Sequence, residues 1–94
     1  MTKINVGLIG AGRIGRVHAE NLAYSIPEAN LITVSDIIVE AAEKLASDFQ
    51  IPTAYKDHRR IMEDQSIEAV IICSSTETHS QMIEEAAAAG KHIF

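Results

Sequence analysis

The sequence contains a single cysteine, Cys73, in 94 residues. An intrachain disulfide is therefore excluded, and a lone thiol is typical of proteins that stay in a reducing compartment. The sequence also lacks a signal-peptide pattern and any apolar run of membrane-spanning length. We therefore expect a cytoplasmic protein with no membrane partner.

Basic and aromatic residues are scarce as well. Eight Lys and Arg against 13 Asp and Glu give a formal net charge of −5. Such a chain repels polyanions, so we expect no nucleic-acid partner. With no tryptophan and 4% aromatic residues, the core is predicted to consist of Ile, Val, Leu and Ala. The four histidines and Cys73 lack the spacing of metal ligands, and no metal site is expected.

What the sequence does contain is a glycine-rich stretch between a strand pattern and a helix pattern. The apolar run Ile4–Ile9 leads into GAGRIG, which ends at Gly15, and a helical pattern follows to Tyr24. In a dinucleotide-binding turn, Gly10 takes a backbone angle closed to other residues and Gly12 leaves room for a pyrophosphate. Gly15 lets the helix lie close to the strand. The stretch therefore predicts a dinucleotide site.

The predicted phosphate contacts in this turn are main-chain groups. The N–H groups of the first helical turn, at Arg13 and Ile14, point toward an anion, with the positive end of the helix dipole behind them. Ala11 lies between the first two glycines and belongs to the same predicted site. For the Arg13 side chain, the pyrophosphate and a surface carboxylate are equally good partners.

An acidic residue, Asp36, ends the next apolar run and lies 21 positions beyond Gly15. Its carboxylate is expected to accept hydrogen bonds from the adenosine ribose and to repel the 2′-phosphate of NADP. Ile37 follows where an NADP site often has a cation, so we favour NAD over NADP. The structural alternative is that Asp36 caps the next helix near Val39.

The whole chain alternates strand and helix patterns. Strands are predicted at Ile4–Ile9, Leu31–Ser35, Pro52–Tyr55, Ala69–Cys73 and from Lys91, with helices at Arg13–Tyr24, Val39–Phe49, His58–Glu63 and Thr78–Ala89. This order predicts an α/β fold in one domain, residues 1–94: a Rossmann-type doubly wound parallel sheet with strand order 3-2-1-4-5. A capping box at Thr78 and Gln81 and a stop at Gly90 set the bounds of the last helix.

Three hydroxyl residues follow the fourth predicted strand: Ser74, Ser75 and Thr76. They leave the carboxyl end of the strand near the point where the order of the sheet reverses, which is where nucleotides bind in such folds. Their hydroxyls are expected to contact a ribose or, alternatively, to cap the following helix.

Three segments closely resemble the amino-terminal domain of the glucose–fructose oxidoreductase, inositol dehydrogenase and rhizopine catabolism (Gfo/Idh/MocA) family. They are VGLIGAGRIGRVHAENL, VSDI and AVIICSSTETHSQMIEEAAAAGKHIF, and the resemblance covers essentially all 94 residues. It is nearest to the inositol 2-dehydrogenases. His79 matches a histidine that lies near the cofactor in that family, although a structural role at the helix start is equally compatible with the sequence. Ser75 stands where the family commonly has a proline.

The resemblance implies an NAD(P)-dependent oxidoreductase that transfers a hydride from a hydroxyl of a cyclitol or sugar. In that family a Glu-Lys-Pro motif follows the stretch matching Lys91 to Phe94, and a second domain completes the substrate site. We therefore expect a fragment truncated before the second domain, which binds the dinucleotide, has no catalytic residue and takes a polyol substrate only as part of the full-length enzyme.

Two other functions are compatible with a glycine-rich turn of this kind. A non-catalytic dinucleotide-sensing or scaffold domain would use the same fold without chemistry. An S-adenosylmethionine methyltransferase is disfavoured because the third glycine fits a pyrophosphate better.

Truncation would expose the edge of the last strand, so we expect self-association and a homo-oligomer.

Overall fold

The computed structural model describes residues 3–74 and 76–93, without the side chains of Ser25, Thr76 and Glu77. Its five strands are β1 (Ile4–Ile9), β2 (Ala29–Ser35), β3 (Thr53–Tyr55), β4 (Ala69–Ile72) and β5 (His92–Ile93). Its four helices are α1 (Arg13–Ser25), α2 (Val39–Phe49), α3 (Arg59–Glu63) and α4 (Thr76–Ala88). All strand pairs are parallel in the order β3-β2-β1-β4-β5, which confirms the predicted doubly wound sheet.

The sheet has an apolar core on each face. On one face, α1 and α2 pack against β1 and β2, with Leu8 and Val34 fully buried. On the other face, α3 and α4 contribute Ile61 and Met82 to a second cluster that includes Ile9. Because side chains alternate along a strand, Leu8 and Ile9 enter opposite cores, and β1 is buried on both sides. This central position fixes the end of β1, from which the glycine-rich turn begins.

The main correction to the predicted bounds concerns α4. The helix begins at Thr76, so the capping box predicted at Thr78 and Gln81 is wrong. Thr78 lies inside the first turn, and its Oγ1 donates a hydrogen bond to Ser74 Oγ at 3.2 Å. A capping-box pattern is a local signal, and the same spacing of residues can occur inside a helix, as it does here.

Strand β2 begins at Ala29, two residues before the predicted start at Leu31. Its first residues pair with Ile4 and Asn5 of β1, and the Asn30 side chain donates to Asn5 Oδ1 at 3.2 Å. Ala29 and Asn30 belong to the strand because their main chains pair with β1, and a search for apolar runs in the sequence does not detect such pairing.

The end of α4 agrees with the predicted stop at Gly90. Gly90 has φ 75°, and its N–H donates to Ala87 O at 3.1 Å. The N–H of Lys91 donates to Ala86 O at 3.0 Å, which completes the hydrogen-bond pattern of a Schellman motif. The chain is thereby turned directly into β5.

Candidate functional site

The three glycines of the turn after β1 occupy three different environments. Gly10 has φ 104°, and a Cβ at this position would lie 2.6 Å from the carbonyl oxygen of Cys73. A Cβ on Gly15 would collide with the carbonyl oxygen of Gly10, whereas one on Gly12 would meet nothing within 4 Å. The turn is therefore packed tightly against β4 and α1 at its two ends and is open at Gly12.

The amino end of α1 is open to an incoming group. Gly12 is the N-cap residue, the first turn has no acidic residue, and no side chain of the described residues caps it. The helical ladder starts with the Arg16 N–H, which donates to Gly12 O at 2.9 Å. The N–H groups before it have no partner inside the helix, and the dipole places partial positive charge at this end. This arrangement fits an anion such as a pyrophosphate.

Asp36 joins the glycine-rich turn to the ends of β2 and β3. One carboxylate oxygen accepts the Ala11 N–H and the other accepts the Ile38 N–H, each at 2.8 Å. The main-chain N–H of Asp36 donates to Tyr55 O at 3.1 Å. The bond to the Ile38 N–H joins residues two positions apart, and α2, whose N-cap residue is Ile38, has no side-chain cap, so the helix-capping alternative for Asp36 is wrong. A carboxylate has about four acceptor positions, so two of them are left for other donors.

A cleft of about 270 Å³ lies at the carboxyl ends of the central strands, beside these groups. It is lined by Ile9, Gly10, Gly12, Ser35, Asp36, Ile37, Lys56, His58, Cys73, Ser74, Thr78 and Met82. The cleft spans the boundary between β1 and β4, where the order of the sheet reverses and where ligands bind in open α/β sheets.

Five of the predicted site residues line this cleft: Gly10, Gly12, Asp36, Ile37 and Ser74. The other predicted residues of the turn do not line the cleft. Ala11 is half-buried, Arg13 and Ile14 are exposed, and Gly15 is buried. Ser75 lies outside the described residues, as does the side chain of Thr76.

His79 and Ser74 are held by bonds within the domain. His79 Nε2 lies 3.1 Å from the carbonyl oxygen of Ile72, so the ring donates to the end of β4. Ser74 Oγ accepts from Thr78 and lies 3.2 Å from the sulfur of Met82. His79 does not line the cleft, and these contacts anchor the start of α4 to β4.

Sequence reasoning missed several cleft residues, above all Lys56 and His58. Lys56 directly follows β3, and His58 Nε2 lies 3.0 Å from a carboxylate oxygen of Glu85. The predicted strand order could have indicated these two residues. The carboxyl ends of parallel strands lie at the same edge of the sheet, and β3 is the neighbour of β2, so residues that follow β3 lie near Asp36. Ser35 was missed for the same reason, and its buried hydroxyl has no hydrogen-bond partner among the described residues.

Other kinds of site receive no support from residues 3–74 and 76–93. Burial raises the pKa of the Cys73 thiol, which makes it a poor nucleophile near neutral pH. Among the described side chains, no group of three from His, Cys, Asp or Glu is arranged to hold a metal ion. None of the helices in these ranges is long and apolar enough to cross a membrane.

Comparisons with known proteins agree with this geometry. A family model described as an oxidoreductase family with an NAD-binding Rossmann fold matches residues 4–94. The myo-inositol 2-dehydrogenase of Thermotoga maritima is 41% identical over 91 residues, which are 97% of this chain and 27% of that protein. The match to the family model confirms the cofactor class expected from the sequence.

Solved structures show the same likeness in three dimensions. The Lactobacillus casei scyllo-inositol dehydrogenase with bound NAD(H) and scyllo-inositol has a TM-score of 0.92 at 31% identity, covering 99% of this chain and 27% of that one. The myo-inositol dehydrogenase of the same organism, in complex with NAD(H) and myo-inositol, has a TM-score of 0.94 at 33% identity, covering 99% and 28%. The chain thus spans little more than a quarter of the length of these proteins.

Proposed function

This chain belongs to the Gfo/Idh/MocA oxidoreductase family, and from that membership we propose that it is the NAD-binding part of a cyclitol or sugar dehydrogenase. The bound cofactor would supply the hydride acceptor for a substrate hydroxyl. The substrate class is supported by the relatives from Thermotoga maritima and Lactobacillus casei, which are dehydrogenases of inositols.

The observation that carries the proposal is the uncapped start of α1 beside the open side of Gly12. Gly12 has free space where a Cβ would lie, so a phosphate group can approach the main chain closely. The first-turn N–H groups of Arg13 and Ile14 would donate to the pyrophosphate, with the helix dipole adding to the attraction. No side-chain cation is required for this contact.

The preference for NAD over NADP is assigned to Asp36. Its carboxylate is fixed by the N–H groups of Ala11 and Ile38, and it lines the same cleft as Gly12. Its remaining acceptor positions would receive the ribose hydroxyls, and its negative charge would oppose a 2′-phosphate. Ile37, next along the chain, is 80% exposed and brings no positive charge.

We further propose that the 94 residues bind the dinucleotide and leave catalysis to other parts of a longer enzyme. Two of the titratable side chains that line the cleft, His58 and Cys73, are poorly suited to proton transfer. His58 is paired with Glu85, and the pKa of Cys73 is raised by burial. Hydride transfer also requires a substrate held in a defined geometry against the cofactor.

Calorimetric titration of the chain with NAD and with NADP tests this function. We expect saturable binding of NAD, weaker binding of NADP and loss of that preference in Asp36→Ala. Glu43→Ala is the matched control, because it removes an exposed carboxylate from α2 outside the cleft. Absence of binding by either dinucleotide would overturn the proposal. Reduction of NAD by the chain with myo-inositol would overturn its catalytic part.

A further inference from the structure

Lys56 and Asp36 occupy equivalent positions at the ends of two neighbouring strands. Ser35 of β2 is the register partner of Tyr55 of β3, and Asp36 and Lys56 are the next residues along each strand. The Asp36 N–H donates to Tyr55 O at 3.1 Å, so the two strand ends stay in contact. Neighbouring strands lie about 4.8 Å apart, and both side chains line the same cleft.

The Lys56 ammonium has no ion-pair partner among the side chains that the structure describes, and Lys56 is exposed. The other basic side chain lining the cleft, His58, is paired with Glu85. Beyond the cleft lining, Arg59 is engaged with Asp57 at 2.9 Å. Lys56 is therefore available to a negative group of a ligand.

We propose that Lys56 is a specificity-determining residue that attracts the 2′-phosphate of NADP and so offsets the repulsion from Asp36. This inference rests on the proposed function, because it takes Asp36 as the residue that reads the adenosine ribose. A group attached at the 2′ oxygen would then lie beside Asp36 and within reach of a lysine side chain from the adjacent strand end. The opposed charges of Asp36 and Lys56 together set the ratio of NAD affinity to NADP affinity.

The sign of each charge predicts opposite effects of the two substitutions. Removing Asp36 takes away repulsion and strengthens NADP binding. Removing Lys56 takes away attraction and weakens NADP binding, by about three- to tenfold more than it weakens NAD binding, as expected for one charge pair near a solvated surface. Because both groups are close to water, the Lys56 effect shrinks as salt is raised.

Calorimetric titration with NAD and NADP at low and at moderate salt tests the inference on four proteins: the unchanged chain, Lys56→Ala, Lys56→Arg and Lys44→Ala. Lys56→Ala should raise the NADP dissociation constant about three- to tenfold more than the NAD constant. Lys56→Arg should keep the original ratio. Lys44→Ala, the control, removes the same charge from an exposed position on α2 and should leave the ratio unchanged. Adding Lys56→Ala to Asp36→Ala should reverse the gain in NADP affinity.

An equal loss of NAD and NADP affinity in Lys56→Ala, or no change in either, overturns the inference while leaving the proposed function intact. The same holds if Lys44→Ala shifts the ratio as much as Lys56→Ala does. Absence of NAD binding by the unchanged chain overturns the proposed function, and the role of Lys56 falls with it. Circular dichroism of each variant confirms that a changed affinity comes from a folded protein.

Discussion

The carboxylate of Asp36 accepts a hydrogen bond from the main-chain N–H of Ala11, 25 residues earlier in the chain, at 2.8 Å. This bond fastens the glycine-rich turn to the end of β2, and the second oxygen holds Ile38 at the start of α2. The residue proposed to read the ribose is therefore also part of the scaffold that shapes the phosphate site. Removing it changes both the local electrostatics and the support of the turn.

Asp36→Ala should destabilise the chain even without nucleotide, because two main-chain N–H groups lose their acceptor. We expect a loss of about 1–3 kcal/mol in the free energy of unfolding, measured by urea titration. Asp36→Asn keeps one acceptor oxygen and should lose less. The control Glu43→Ala should stay within about 0.5 kcal/mol of the unchanged chain. Equal stability of Asp36→Ala and Glu43→Ala would contradict the scaffold role.

The glycines of the turn offer a matched pair of substitutions. Gly15→Ala places a Cβ against the carbonyl oxygen of Gly10, whereas Gly12→Ala places one in open space. Gly15→Ala should therefore reduce stability by about 3 kcal/mol or more, since backbone cannot move aside easily. Gly12→Ala should fold within about 1 kcal/mol of the unchanged chain and lose most of its NAD affinity. Thermal unfolding and calorimetry separate these outcomes, and the reverse pattern would refute our assignment of the two glycines.

Much of this fold was predictable because local signals agree with the topology. The bounds of β1 and α2 were predicted to the residue, and the strand order followed from the alternation of strands and helices. The start of α4 was predicted wrongly, because Thr78 and Gln81 have the spacing of a capping box although both lie inside the helix. Lys56 was missed in the site because its proximity to Asp36 arises from strand pairing, and no spacing along the chain encodes it.

Asp57 should make the stability of the chain depend on pH in the acid range. Hydrogen bonds from the Arg59 side chain and from the Arg59 main-chain N–H lower the pKa of Asp57 from 3.8 to about 2. The stability that this carboxylate contributes is present above its unfolded pKa and is lost as the pH falls from about 4 to about 2. The difference in melting temperature between the unchanged chain and Asp57→Asn should shrink over that window. A difference independent of pH would exclude this linkage.

Lys91 is a buried cation that supports the loop leading into β4. Its Nζ donates to the carbonyl oxygens of Asp64 and Ile67, both at 2.7 Å. Lys91→Met leaves both carbonyls without this donor and should lower the free energy of unfolding by about 1–3 kcal/mol in urea titration. Lys3→Met, at an exposed position, is the control. Comparable stability of the two variants would show that the buried contacts contribute little.

Lys91 should also make the free energy of unfolding depend on pH in the alkaline range. Burial lowers the pKa of Lys91, so the folded chain releases this proton at a lower pH than the unfolded chain does. The unfolded chain then binds more protons, and stability relative to Lys91→Met should increase as the pH rises through this range. A relative stability that falls instead would contradict the effect of burial.

The outer edge of β5 should make the chain self-associate. β5 consists of His92 and Ile93, lies last in the strand order and pairs with β4 on one side, while Ile93 is 36% exposed. Unpaired main-chain groups on an edge strand accept further strands, and a charged side chain placed there opposes such pairing. Sedimentation velocity should therefore show concentration-dependent association that Ile93→Lys reduces. Ile83→Lys, at a position 39% exposed on α4, should leave association unchanged. A monomer at every concentration would mean that so short an edge does not recruit a second chain.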